Sequence, residues 1–193
     1  MERKMTTLNG LPAHILLVHI VVVLVPLSAL LLVLVAVWPW ARHRLSMLTA
    51  VLALVTLISV PLTTNAGEWL ERRVDDTPLL RAHTELGDSM LPWAVGLFAV
   101  AAAVAARQFV AERRSRAALA GELGTADEPS TAQRSVPGGV AVTAVLAILA
   151  VVVGVGAVVQ VYEIGESGAR AAWTGHFSQQ AHPKPGGPPR EDH

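Results

Sequence analysis

"GLPAHILLVHIVVVLVPLSALLLVLVAVWPWARHRL", residues 10–45, decides the fold. No Asp, Glu, Lys or Arg occurs from Met5 to Ala41. A helix needs about 20 mainly apolar residues to cross a bilayer, and this stretch exceeds that. A secretory h-region is typically 7–15 residues long and ends at a small-residue cleavage site. The run from Leu11 to Trp38 is far longer, and "WPWARHRL" is no such site, so the segment reads as a retained helix.

Three further uncharged blocks follow, at Leu45–Gly67, Ser89–Ala106 and Ser135–Tyr162. The expected architecture is all-α: an integral membrane four-helix bundle of up-down topology. Its helices are expected at about 11–40, 45–73, 78–120 and 137–163. In "DTPLLRAH", Thr77 suits an N-cap and Pro78 the first helical turn. A polar linker is expected at about 121–136 and a Pro/Gly-rich, disordered tail at 178–193, beyond a membrane domain spanning 1–177. The glycines of "GESG" are expected to bend or break the last helix. "ARAAWTGHF" then reads as a short surface helix, with Trp173 and Phe177 dipping into lipid.

Composition narrows the function. Charged residues make up 16% of the chain, against about 25% in an ordinary soluble domain. With no cysteine there is no disulfide, thiolate metal site, Cys-ligated iron–sulfur cluster or covalent C-x-x-C-H heme. Zero formal net charge argues against a nucleic-acid partner. No G-x-S-x-G, phosphate loop or dinucleotide fingerprint occurs, and no catalytic residue is assigned. Arginine exceeds lysine, and alanine and valine abound, as in GC-rich bacterial genomes. The arginines flanking the third helix place the one–two and three–four loops in the cytoplasm. Both termini are then extracytoplasmic.

The remaining signal is a polar layer. Helix residues rise about 1.5 Å each, so depth can be counted from the inner ends Trp38, Arg44, Arg107 and Gly139. His14, Glu68, His83 and Glu163, one per helix, each lie about 24 residues out, or roughly 36 Å. His19 and Asp88 form a tier about five residues deeper. His14 and His19 are about 140° apart around the axis, so they cannot both face one partner helix. Ionisable groups at membrane depth are costly and mark functional sites.

Three readings stay open. One is structural: interfacial polar residues with His–Glu hydrogen bonds between helices. The second is heme b held by His83 and either His14 or His19, since four-helix bundles build cofactor sites from facing helices. The third is a transition metal bound by His14, Glu68, His83, Asp88 and Glu163, although no H-E-x-x-H or E-x-x-H spacing is present. In the redox readings Glu68 and Asp88 orient the ligands or coordinate directly. The lipid bilayer is the expected partner, joined by a redox partner protein or a second copy of the chain. A structural or assembly role is the alternative, and a small transporter the third.

"GLPAHILLVHIVVVLVP", "TTNAGEWLE", "LLRAHTELGD" and "GESGARAAW" together resemble a family of small four-span bacterial membrane proteins of unknown function, the domain of unknown function 2231 type. His14, His19, Gly67 and His83 match that family's paired histidines, Gly-centred turn and His opening the third helix. The family often has a Phe-Pro pair after the second histidine; here Ile20 and Val21 follow, with Pro26 later. Some relatives look fused to Rieske-type iron–sulfur domains, so the resemblance implies redox chemistry without a settled activity.

Overall fold

A computed structural model describes residues 7–8, 11–122 and 139–175. A two-residue bridge pairs Thr7–Leu8 with Leu11–Pro12. Five helices follow: α1 Ala13–Val37, α2 Pro39–Glu71, α3 Pro78–Asp88, α4 Met90–Glu122 and α5 Gly139–Trp173. With α3 and α4 taken as one broken segment, these are four helices long and apolar enough to cross a membrane. The chain is an all-α, multi-pass membrane protein. Helix α1 borders α2 and α5, while α4 packs on α2 and α5 and lies diagonally opposite α1.

A heptad-type seam on each helix sets this arrangement. The inward residues of α2 are Ser46, Thr49, Ala53, Thr56, Val60 and Thr63, alternating steps of three and four. In α4 they are Met90, Ala94, Leu97, Ala101, Val104 and Gln108. Val21, Val25, Ser28, Leu32 and Val35 form the seam of α1; Ala150, Gly154, Ala157 and Val161 form that of α5. This 3.5-residue repeat keeps one stripe facing the partners in a left-handed bundle. Small residues let the backbones approach. A Cβ on Gly154 would meet the Ala29 side chain at 3.5 Å, and one on Gly156 would stand 2.0 Å from the Trp93 ring. Mid-bundle, Thr56 donates its hydroxyl to the Leu52 carbonyl (2.9 Å), so the fully buried Ser28 donates to Thr56 Oγ1 (2.8 Å).

Several boundaries differ from expectation. Helix α2 begins at Pro39, and only Trp38 separates it from α1. Proline suits a first turn and forces the preceding residue into extended backbone, which Trp38 adopts (φ −109°, ψ 113°). Arg42 and Arg44 therefore belong to the start of α2, not to a loop. The third segment is broken at Ser89. The carbonyl of Leu86 there accepts from Ser89 Oγ (2.7 Å) and from Gln160 Nε2 of α5 (3.2 Å). A break in a spanning helix survives only where the freed groups find such partners.

"GESG" does not end α5, which runs on to Trp173 and includes Ala169–Trp173. Packing against α3 overrides the weak helix propensity of glycine. Phe177, His176, most of the linker and the tail lie outside the described residues.

Candidate functional site

At the end of the bundle where α1 begins and α5 ends, the seams deliver two imidazoles. Stepping back from Val21 by three and four residues reaches Val18 and His14. Stepping back from Met90 reaches Gly87 and His83, in phase across the break at Ser89. Extending the α2 seam beyond Thr63 reaches Gly67, and extending the α5 seam beyond Val161 reaches Ile164 and Gly168. These four seam ends converge. The His14 and His83 rings stand 6.5 Å apart, centroid to centroid, at 78°. Each ring rests on a glycine of a neighbouring helix. A Cβ on Gly67 would lie 3.0 Å from His14 Cε1, and one on Gly168 would lie 2.9 Å from His83 Cε1.

Hydrogen bonding fixes the tautomers. His14 Nδ1 lies 3.0 Å from the Thr63 carbonyl oxygen. A carbonyl only accepts, so Nδ1–H donates. His83 Nδ1 lies 3.0 Å from Ser167 Oγ. The single Ser167 hydroxyl proton goes to the Ile164 carbonyl (2.9 Å), so Ser167 accepts and His83 Nδ1–H also donates. In their neutral forms both rings carry the proton on Nδ1 and a lone pair on Nε2. The side-chain hydrogen bonds of both rings run through Nδ1, and His83 also meets the backbone carbonyl of Ile164. An Nδ1–H bonded to a carbonyl or another acceptor, with the other nitrogen bare, is the usual state of a metal-ligating histidine.

The rings line a cleft of about 1120 Å³ between α1, α2, α3 and α5. Its volume is at the upper end of small-molecule and cofactor sites. Thr77 caps α3 through the Leu80 amide (3.2 Å) and also lines the cleft. Asp76, just before that cap, holds Arg81 through two bonds of 2.7 and 2.5 Å. The guanidinium keeps the Asp76 carboxyl below its ordinary pKa.

Three of the other candidates, His19, Glu68 and Asp88, also line the cleft but are exposed. His19 lines the cleft but is exposed, and its Nδ1 donates to the Ile15 carbonyl of its own helix (2.6 Å). Glu68, one residue past the seam, is exposed and pairs with Arg72 at 3.7 Å. Asp88 is an exposed residue of the lining; Glu163 is exposed and not part of it. Among the described residues no three His, Asp or Glu side chains group closely enough to hold a metal ion. The structure thus brings together His14 and His83 but not the five-residue ligand set. It adds Thr63, Gly168 and Ser167, which depth counting alone does not select. Seam phase does find Thr63 and Gly168.

No family model, curated protein or solved structure matches the chain.

Proposed function

We propose that this chain is a membrane-embedded electron carrier that binds heme b through His14 and His83. The observation that carries the reading is the pair of imidazoles brought from two helices to 6.5 Å, edge-on to each other, beside a large cleft. The porphyrin supplies four nitrogens, so two protein ligands suffice, whereas a lone metal ion needs more donors than converge here. His14 and His83, with ring centroids 6.5 Å apart, would be the residues that hold the iron. When bound, the heme iron supplies one-electron chemistry. Thr63 and Ser167 hold the ring tautomers, and Gly67 and Gly168 give the rings room.

Membership of the four-span family, a bacterial cell membrane, and a cleft facing away from the cytoplasm belong to the same proposal, as does a redox partner protein at the cleft. The flanking arginines support that orientation. A cysteine at Ser115 labelled by an impermeant reagent in intact cells would invert it.

The test is the visible spectrum of the full chain purified in mild detergent and titrated with hemin. A Soret band that sharpens on reduction, persists in His19→Ala and is lost in both His14→Ala and His83→Ala is the expected result. A colourless protein that takes up no hemin overturns the reading and leaves a structural or assembly role, with the histidines as interhelical packing. Stoichiometric zinc, iron or copper without a Soret band would move the site to a metal ion.

A further inference from the structure

The opposite end of the bundle carries two arginines with no acidic partner among the described residues. Arg42 Nε donates to the Val35 carbonyl (3.0 Å), and its Nη2 to that of Ala36. Arg107 Nη2 donates to the Gly139 carbonyl (2.6 Å). Carbonyl oxygens satisfy donors but neutralise no charge. Arg107 Nη1 is buried without any hydrogen-bond partner. Both arginines line a small void with Thr143 and the apolar Ala36, Val104 and Leu146. Two like charges and an orphaned buried donor around one void are costly unless an anion enters.

The void measures about 10 Å³, room for about one oxygen-sized atom and no more. An anion whose body stays outside and inserts a single oxygen fits; a whole phosphate does not. The exposed, neighbouring indoles of Trp38 and Trp40, with ring centroids 5.6 Å apart, mark this end as the headgroup level. Phosphodiester oxygens are concentrated there, and basic pockets between spanning helices hold acidic lipid headgroups.

We infer that Arg42 and Arg107 form a binding site for the phosphate of an anionic membrane lipid, with Arg107 Nη1 donating to one of its oxygens. The site is independent of the histidine cleft and does not rest on heme binding.

The probe is phosphatidylglycerol, compared with phosphatidylcholine, on the full chain in detergent. Native mass spectrometry counts retained lipid, and thermal unfolding reports the linked stabilisation. The expected result is one phosphatidylglycerol held roughly tenfold or more tightly than phosphatidylcholine, with a midpoint raised by about 3 °C. Arg107→Gln and Arg42→Gln each lose the preference. Arg107→Lys keeps part of it, having charge without the planar fork. Arg116→Gln, exposed on the same helix, keeps all of it. Equal retention of the two lipids by the wild-type chain, a measurement that needs no variant to fold, overturns the site. So does a preference undiminished in both Gln variants. Inorganic phosphate reproducing the whole shift would overturn the lipid assignment in favour of a free anion.

Discussion

At the cleft end, His14 and His83 use Nδ1 to donate. At the other end His43 does the reverse. Its Nδ1 accepts from Gln108 Nε2 (2.6 Å), which also donates to Glu112 (2.9 Å). That bond ties α2 to α4, and Arg42 closes the end of α1 by holding two of its last carbonyls. Both ends join helices through side-chain bonds, but the cleft end does so with imidazoles that donate through Nδ1, and the other with an imidazole that accepts through it. The difference teaches that a histidine in a bundle is diagnosed by which nitrogen is engaged and by what, rather than by its depth.

The largest expected effect is a crossed pair of variants. His83→Ala should weaken hemin binding by about a hundredfold or more while lowering the thermal midpoint less than Arg42→Ala does. Arg42→Ala should leave hemin binding intact and cost about 2–4 kcal/mol, from two charge-assisted bonds to the end of α1. Hemin titration and thermal unfolding of both variants check this. If each variant disturbs both readouts equally, the division between the two ends fails.

The glycines sharpen the same comparison. Gly67→Ala and Gly168→Ala place a methyl against the ligand rings and should weaken hemin binding about tenfold. Gly165→Ala meets nothing within 4 Å and should bind as the wild type does. Gly156→Ala instead displaces Trp93, far from the rings, and should lower stability by about 1–3 kcal/mol without changing hemin affinity.

Ser167→Ala comes next in size. It removes the acceptor of His83 Nδ1–H and should lower affinity about tenfold. Unlike the glycine variants it adds no bulk, so its reduced spectrum should match that of the wild type, with both histidines still holding the group. A spectrum that reports loss of one ligand would make Ser167 a packing residue rather than the group that holds the tautomer.

Four membrane-crossing segments were legible because long uncharged runs are a one-dimensional signal. Depth was legible too, since rise per residue is constant. Azimuth separates His14 from His19 in the sequence, and followed along the seams of all four spans it sorts the other candidates too. His14 and His83 fall on the alternating three–four seams, whereas His19, Glu68, Asp88 and Glu163 fall off them, so the latter are exposed despite similar depth. Gly168 lies on its seam but was hidden by the turn-like look of "GESG". The single-residue join at Trp38 was missed because the charges of Arg42 and Arg44 looked like a loop. Lined against Arg107 and the backbone, Arg42 is instead part of a helix. Ser167 carries no sequence signal of its own; only the fold sets it beside His83.

The smallest effect concerns how firmly the cleft end is held. Helix α3 buries no residue of its own and is anchored by His83, the Thr77 cap and the Asp76–Arg81 clamp. The Asp76 carboxyl, whose ordinary pKa is 3.8, is lowered by its hydrogen bonds to Arg81. A lowered folded-state value means the clamp's contribution is present above about pH 4 and is lost as pH falls through that lower value. The carbonyls held by Arg42 and Arg107 do not titrate, so that contact should be indifferent over the same range. Amide exchange protection at Leu80 and Arg81 should therefore fall as the pH drops below about 4, while protection at the start of α2 stays level. The loss should be slight, because the pair is exposed and salt screens it. In Asp76→Asn the acid-dependent step should vanish. An undiminished step in that variant would assign the titration to another carboxylate near the cleft, with Asp75 and Asp88 the first to substitute.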